Sequence, residues 1–597
     1  MIKRLFSNTG LLLKDYKFHS GINIILGKYS GKKEATGVNG IGKSTLIRLI
    51  DYSFLSDSAQ KIFSNKKYDF LRKDEHDIIL EFEIDNKTYF IKRDFNKKSN
   101  IYFGTSLNKL DEFEKTEFKA VLTNLFLPVE KDDVFFDGNK FRTIFDFFIK
   151  DDLDNQKRFE PLNFLKYNAS VKEKAIYNFF LLDLPTKHLI NYNEQSKEYE
   201  KFNVAINTAE EKIKIETGKT IQEYKSERIN IDQRIILLEN SLDNYHFIEK
   251  YKDIEKQLIE VTKLINTKLT EYNSLDNKLN KIKESYNVNQ NIETKEIRKI
   301  YNEVVENFGN QVAKTLDEVI DFKNNILANR KKYLIQKEDK LQKAIGEVLN
   351  DISNLEIKRS NFYKSLDEKG ALDSVKNTYE ELIIEKTDLE KNVQVIKQID
   401  EYQEMLNNLN VTISEVKLLI SQELKAFEGK VDELRKLFLD ILKNAIFVDE
   451  NYDNAYFDIV PKPTANRKKL PFDIEIEIPK ADALGQSRLK IVAYDLMVFL
   501  YNIMNDRKLP DFLIHDGVYH GISLKTRINT INYVYHKYLE NAKHKQFQYI
   551  ITFNEDEITV PDDKTTQYGK FDFNFQESIV AEFQDVAEKT IFKQIFG

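Results

Sequence analysis

The sequence predicts an α/β unit assembled from the two ends of the chain, with a long antiparallel helical hairpin inserted between them. Three observations predict this fold class. Short apolar runs alternate with polar turns in residues 1–184 and again in residues 445–597, as in a globular α/β unit. The stretch between these segments is rich in charge, poor in proline and patterned in heptads. A phosphate-binding loop lies early in the first segment.

The phosphate-binding loop predicts a nucleotide site. Residues 37–45 read GVNGIGKST and match the full pattern G-x-x-x-x-G-K-[ST]. Small residues let backbone N–H groups close around a β-phosphate, Lys43 reaches the β- and γ-phosphate oxygens, and the Ser44 hydroxyl is expected to bind Mg²⁺. An apolar run before the loop predicts a strand, and the run after it predicts a helix whose N-terminus favours anions. The expected nucleotide contacts are Gly37, Asn39, Gly40, Gly42, Lys43, Ser44 and Thr45.

Composition favours long helices over a string of compact domains. Of 597 residues, 31% are charged, and only 9 are proline and 19 glycine. The absence of cysteine excludes disulfides, thiolate catalysis and cysteine-ligated zinc. A net charge of −6 gives no global attraction to polyanions, so a nucleic-acid contact would need a local basic patch. Neither a signal peptide nor an 18-residue apolar stretch is present, which predicts a cytoplasmic protein without a membrane partner.

The middle of the chain predicts two helical arms. Residues 251–282 follow a 3-4 apolar spacing in which only the Lys268 position is polar, and residues 341–366 repeat it with one interruption at Arg359. An elongated helical bundle explains the same periodicity, but two arms that run out and back are the simpler arrangement. The predicted segments are an N-terminal lobe (1–184), an outgoing arm (185–286), a helical apex (287–332), a returning arm (333–444) and a C-terminal lobe (445–597).

A second part of the nucleotide site is predicted in the C-terminal lobe. Residues 512–516 read FLIHD and predict a buried strand that ends in Asp516, a candidate Mg²⁺ ligand. Another predicted core strand ends at Asn554. A glycine-hydroxyl turn that opens a helix suits a terminal phosphate, and its residues are Gly485, Gln486 and Ser487.

In this order of parts the chain resembles the ABC-type ATPase heads of the SMC, RecN, RecF and SbcC class. Within that class it is most similar to the uncharacterised bacterial coiled-coil ATPases of the YydD-like family. The resemblance covers nearly the whole chain by architecture, but by motif only residues 37–45, 485–488 and 515–517. It implies an ABC-type P-loop ATPase head built from N- and C-terminal lobes, with ATP and Mg²⁺ as cofactors. It also implies a homodimer whose two heads sandwich two ATP molecules between phosphate loop and signature turn.

Three positions depart from the pattern of this class. Ala483 stands where the signature serine is expected, and Asn554 stands where the class carries a switch histidine. Gly517 follows Asp516 in place of the glutamate that orients the attacking water, so we expect slow or partner-stimulated ATP hydrolysis. Each substitute for that glutamate is equally compatible with a packing or loop role. The candidates are His515, His520 and Glu555, and the residues expected to act in catalysis are Lys43, Asp516, His515 and Glu555.

The resemblance implies action on double-stranded DNA, in repair or in defence against phage and mobile elements. Three modest basic clusters are available for such a contact, although solvated loops explain each of them: Lys66-Lys67, Lys97-Lys98 and residues 467–469. The alternative is a nucleotide-gated sensor or scaffold that hydrolyses little ATP and controls a separately encoded effector protein. Gly517 favours that alternative.

Overall fold

The chain forms two compact units, residues 1–204 with 402–597 and residues 205–401. The first unit therefore takes residues from both ends of the sequence. In this computed structural model the described residues are 1–31, 40–73, 76–96, 100–127, 141–151, 160–165, 168–243, 252–287, 316–365, 372–390, 393–464, 466–467, 469–479, 484–560 and 564–594.

Three sheets are present among the described residues of the first unit. Their orders are β13-β3-β12-β11-β8, β2-β1-β4-β5-β6-β7 and β10-β9. The strands are β1 (Ile2–Phe6), β2 (Tyr16–Lys17), β3 (Gly21–Lys28), β4 (Asp77–Ile84), β5 (Lys87–Asp94), β6 (Ile101–Ser106), β7 (Lys109–Phe113), β8 (Ile149–Lys150), β9 (Tyr456–Pro461), β10 (Phe472–Glu477), β11 (Phe512–His515), β12 (Gln548–Asn554) and β13 (Ile579–Gln584).

The five-stranded sheet is parallel throughout and joins the two ends of the chain. Strands β3 and β8 come from the N-terminal segment, whereas β11, β12 and β13 come from the C-terminal segment. Nearly every residue of β3, β11 and β12 is buried, as expected for a parallel sheet covered on both faces. The predicted strands before the phosphate loop and before Asp516 are confirmed. All carboxyl ends of a parallel sheet lie at one edge, so their following loops meet there.

The six-stranded sheet is antiparallel and contains a tight hairpin. Strands β4 and β5 pair from Asp77 with Asp94 to Ile84 with Lys87. The two turn residues, Asp85 and Asn86, have φ values of 51° and 60°, which is the left-handed conformation that tight hairpin turns require.

Gln548 ties the two larger sheets together. Its buried side chain accepts a hydrogen bond from the Ile2 backbone N–H at 2.7 Å and donates to the Ile2 carbonyl at 2.7 Å. It also donates to the His19 carbonyl at 3.0 Å. One amide thus satisfies three backbone groups of β1 and of the segment that leads into β3.

The helices differ in character between the two units. In the first unit they are mostly short and buried on one side, and they are α1 (Lys43–Ser53), α2 (Asp57–Phe63), α3 (Phe70–Lys73), α4 (Lys115–Phe126), α5 (Phe141–Phe145), α6 (Val171–Leu181), α13 (Glu428–Ile441), α14 (Leu484–Met504), α15 (Leu524–Asn541), α16 (Glu555–Ile558) and α17 (Thr565–Tyr568). The remaining helices are α7 (Lys187–Thr217), α8 (Ile221–Asp243), α9 (Lys252–Asn287), α10 (Leu316–Ser365), α11 (Leu372–Glu390) and α12 (Val393–Ala426). Of these, α8 to α11 belong to the second unit, whereas α7 and α12 have residues in both units.

In the second unit the paired helices run in opposite directions. As residue numbers rise along α8 and α9, the numbers of their partners fall, which defines an antiparallel pairing. The contacts are Lys225 with Asp400 (2.6 Å), Asp232 with Lys386 (3.2 Å), Glu239 with Tyr379 (3.2 Å) and Lys268 with Asp351 (3.0 Å). Residues 288–315 of the predicted apex lie outside the described residues, and the predicted segment boundaries stay predictions.

Both polar interruptions of the heptads have ionic partners. The Lys268 ammonium lies 3.0 Å from Asp351 of the facing helix and 3.1 Å from Glu271. The Arg359 guanidinium lies 2.7 Å from Glu356 and is buried. A charged residue at a core position is tolerated here because a carboxylate lies within reach. Among the described helices, none combines the length and the apolarity needed to cross a bilayer.

The helical unit gives a direct stability test. Leu382 on α11 is 1% exposed, so Leu382→Ala leaves a cavity and should lower the free energy of unfolding by about 2–5 kcal/mol. Ile384, two residues further on, is 63% exposed, and Ile384→Ala should change little. Thermal unfolding followed by far-ultraviolet circular dichroism compares the two variants, and equal losses would contradict this packing.

Candidate functional site

A cavity of about 220 Å³ lies at the carboxyl edge of the parallel sheet, beside the N-terminus of α1. It collects residues that are separated by more than 500 positions in the sequence. Those from the N-terminal segment are Gly40, Gly42, Lys43, Ser44, Thr45, Arg48, Lys67 and Tyr68. Those from the C-terminal segment are Asp516, His520, Thr552, Asn554 and Glu557.

The phosphate loop leads directly into α1, which begins at Lys43. Gly40 and Gly42 have φ values of 86° and 123°, a conformation that other residues rarely adopt, so the glycines are needed for backbone reasons. A helix N-terminus presents backbone N–H groups and the positive end of a dipole to an anion. Gly37 and Asn39 of the predicted set lie outside the described residues.

Gly42 also makes a close contact with the C-terminal segment. A Cβ atom added at Gly42 would lie 2.6 Å from the Cβ of Ile591, which is closer than real side chains approach. The Ile591 backbone is held by hydrogen bonds, donating to the Ile41 carbonyl at 3.2 Å and accepting from the Leu13 N–H at 2.9 Å. The loop is therefore supported by a segment that no motif in the sequence indicates.

Lys43 contacts the end of β12. Its ammonium donates to Asn554 Oδ1 at 2.6 Å. Burial lowers the pKa of Lys43, and this effect is opposed by the negative charges of Asp516, Glu557 and Asp556. A partly desolvated ammonium that faces a cavity is stabilised when an anion enters, because the attraction to the anion replaces the lost hydration.

Asp516 follows β11 and lies 8% exposed at the base of the cavity. Thr552 Oγ1 donates to its Oδ1 at 2.6 Å, and the Ser44 hydroxyl also donates to this carboxylate. Burial raises the pKa of Asp516, and the nearby charge of Asp151 adds to that rise, whereas the two hydroxyl hydrogen bonds lower it. A buried carboxylate beside a hydroxyl is a hard oxygen donor set, which fits Mg²⁺.

The structure does not bring His515 to the cavity. The ring is fully buried, with Nδ1 at 2.9 Å from the Tyr549 hydroxyl and Nε2 at 3.2 Å from Asp495 Oδ2. Asp495 in turn accepts from the buried Lys150 ammonium at 2.9 Å. Burial lowers the pKa of His515 despite the neighbouring carboxylate. His515 therefore belongs to a core network that joins α14, β8 and β11. This arrangement gives no support to the expectation that His515 activates water.

Glu555 and the predicted signature turn also lie outside the cavity lining formed by the described residues. Glu555 is the first residue of α16. Gly485 lies at the start of α14, where an added Cβ would be 2.6 Å from the Gly521 carbonyl oxygen. Ser487 follows it in the same first turn, and the side chain of Gln486 lies outside the described residues. The expected contact of this turn with a second copy's nucleotide stays a prediction.

Sequence reasoning missed Glu557, Lys67 and Thr552. The Asn554 N–H donates to Glu557 Oε2 at 2.8 Å, which is half of a capping box. The spacing Asn-x-x-Glu at the end of a strand could have identified this carboxylate. Lys67 belongs to a basic cluster that the sequence offers for a DNA contact, but no sequence signal connects it with the cavity that it lines.

Comparison with known proteins gives one curated relative. The chain is similar to YydD. That protein of Bacillus subtilis (strain 168), described as an uncharacterized protein, is 27% identical over 593 residues, which cover 94% of each chain. The predicted resemblance to the YydD-like family is thereby confirmed. Residues 442–596 match a family described as an uncharacterised protein conserved in bacteria (DUF2326).

Two solved structures match the chain at low similarity. One is the Smc head domain with a coiled coil and joint from Pyrococcus yayanosii, at 13% identity and a TM-score of 0.33, covering 92% of each chain. The other is the Smc head domain with an extended coiled coil from Pyrococcus furiosus, bound to the C-terminal domain of ScpA. It has 12% identity and a TM-score of 0.33, and covers 93% of this chain and 90% of that one.

The contact between Gly42 and Ile591 generates a prediction. Gly42→Ala should weaken nucleotide binding and lower stability by about 1–3 kcal/mol, because the added methyl group overlaps Ile591. Gly10→Ala is the matched control, since Gly10 also has a positive φ (69°) but no atom within 4 Å of the added Cβ. Melting temperature and titration with a fluorescent ATP analogue measure both effects. Equal behaviour of the two variants would contradict the contact.

Proposed function

We propose that this chain is an SMC-like P-loop protein that binds and hydrolyses ATP. One observation carries the proposal: groups from both ends of the chain face the same cavity, with Lys43 and Ser44 on one side and Asp516, Thr552 and Asn554 on the other. A lysine at a helix N-terminus and a buried carboxylate that hydrogen-bonds to a hydroxyl are the groups that a phosphate chain with a divalent cation requires.

In this proposal each group has a role. The N-terminus of α1 and the Lys43 ammonium bind the phosphates, and Lys43 exchanges Asn554 for a phosphate oxygen. Asp516 and Ser44 would hold Mg²⁺, which supplies neutralisation of phosphate charge. Thr552 orients the Asp516 carboxylate and also accepts from the Gly517 N–H at 3.2 Å. The opposite charges of Lys43 and Asp516 suit the two parts of a Mg²⁺-nucleotide complex.

The wider assembly in this proposal follows the resemblance. Two copies would close around two ATP molecules, with Gly485 and Ser487 of each copy facing the other copy's nucleotide, and closure would move the helical arms. The proposed substrate is double-stranded DNA, in repair or in defence against phage and mobile elements. The basic clusters add little support, because Lys67 lines the cavity and Arg467 packs on the Tyr199 ring at 3.8 Å. Lys97-Lys98 lies outside the described residues.

A second candidate function is favoured by Gly517, which provides no carboxylate beside Asp516. In this proposal the chain binds ATP, turns over slowly and passes a conformational signal to a separately encoded effector protein. The same cavity serves both functions, so the trigger for hydrolysis distinguishes them.

Lys43→Ala tests the nucleotide site. Removal of the ammonium should weaken ATP binding by about tenfold or more, since a charge-assisted contact to phosphate is lost. Lys61→Ala on α2 is the matched control, because Lys61 is exposed and lies outside the cavity lining. Isothermal titration calorimetry with Mg²⁺-ATP measures both variants. ATP affinity that survives Lys43→Ala would show the assignment to be wrong.

The trigger for ATP hydrolysis distinguishes a protein that acts on DNA from a nucleotide-gated sensor. If the chain acts on DNA, it should release phosphate faster when long double-stranded DNA is added. This increase should become smaller as the salt concentration rises, because the contact with DNA is electrostatic. The measurement is steady-state phosphate release with and without DNA at two salt concentrations. A rate that DNA leaves unchanged, but that a protein encoded nearby raises, would support the sensor.

A further inference from the structure

The loop after Asp516 places a histidine in the space beside Gly517. Gly517 and Gly521 have φ values of 69° and 77°, so the chain reverses within residues 517–521. The His520 N–H donates to the Gly517 carbonyl at 3.3 Å. A Cβ atom added at Gly517 would lie 3.2 Å from both Cδ2 and Nε2 of the His520 ring. The imidazole therefore lies within close contact distance of the position that a Cβ atom at 517 would take.

Glu557 fixes the orientation of this ring. His520 Nδ1 lies 2.8 Å from Glu557 Oε1, while the other carboxylate oxygen accepts from the Asn554 N–H at 2.8 Å. Burial alone would raise the pKa of Glu557, but the hydrogen bonds from His520 and Asn554 outweigh it and lower the pKa. An ionised carboxylate requires a hydrogen on Nδ1. In the neutral ring Nε2 then carries the lone pair and can accept a proton.

This pair shares the cavity with the phosphate-binding groups. His520 and Glu557 line it together with Lys43, Asp516 and Thr552. His520 is half exposed, at 50% of its side-chain surface, so water can reach the imidazole. Glu557 is also linked to the lysine through one residue, because Asn554 accepts from Lys43 with its side chain and donates to Glu557 with its backbone. A single short segment thus positions both the phosphate-binding cation and the carboxylate behind the imidazole.

We propose that His520 is the general base for ATP hydrolysis in this chain and that Glu557 is its positioning residue. The inference rests on the proposed ATPase function. Water attacks the γ-phosphorus as Nε2 of His520 takes one of its protons, and the bond from that phosphorus to the β–γ bridging oxygen breaks. ADP leaves with the electron pair of that bond. The imidazolium, stabilised by Glu557, returns its proton to solvent, and phosphate departs.

The test uses single-turnover hydrolysis by the full chain. His520→Ala should lower the rate by about 100-fold, the usual contribution of a general base, while ATP affinity stays at the parental value. Added imidazole should restore part of the rate in this variant, because it can take the proton in the vacated space. Glu557→Gln keeps the capping geometry but removes the charge, and should lower the rate without loss of ATP affinity.

A second histidine provides the matched control. His536 Nε2 lies 2.8 Å from Asp572 Oδ2, and both residues are exposed and outside the cavity lining. His536→Ala should hydrolyse at the parental rate. A parental rate in His520→Ala, or a parental chain that binds ATP without measurable turnover, would overturn the general-base proposal. A parental chain that does not bind ATP would instead overturn the proposed function.

Discussion

The site depends on one pairing, the parallel alignment of β3 with β12. Their register places Gly27, near the end of the strand that enters the phosphate loop, opposite Asn554. Because the carboxyl ends coincide, Lys43 reaches Asn554 although the two residues are 511 positions apart. The buried Gln548 amide fixes the other end of β12 against β1 and the segment before β3. A shift by one residue would turn each inward side chain to the opposite face.

Charge explains why this edge of the sheet suits a nucleotide with its metal. Lys43 and Asp516 are both desolvated, and their pKa values shift in the directions that disfavour ionisation. A ligand with negative phosphates and a divalent cation compensates both residues at once. The core network of Lys150, Asp495 and His515 lies behind Asp516, where each charge already has a partner. The core network therefore differs from the cavity in the way its charges are compensated, although both regions contain buried ionisable groups.

Local pattern was sufficient for the phosphate loop and for the strand before Asp516, since each depends on neighbouring residues. The heptads likewise predicted paired helices, and the positions of Lys268 and Arg359 gain ionic partners. His520, Glu557 and Ile591 were not predicted, or were not distinguished from alternatives. Their positions depend on a chain reversal at Gly517 and on sheet register, neither of which leaves a periodic signal. His515 was the misleading residue, because adjacency to Asp516 in sequence places its side chain on the opposite face of the strand.

Strands β3 and β12 are neighbours in the sheet but far apart in the sequence, which matters while the chain is being synthesised. Strand β3 and helix α1 leave the ribosome more than 500 residues before the strand that completes their sheet. At ~5–20 residues per second, that interval is roughly 25–100 s. During it the apolar flank of β3 has no native neighbour on the β12 side, and a nascent chain in that state is prone to aggregate. A chain that stops within the helical arms has no Asp516, Thr552 or Asn554, so it lacks the C-terminal part of the cavity lining.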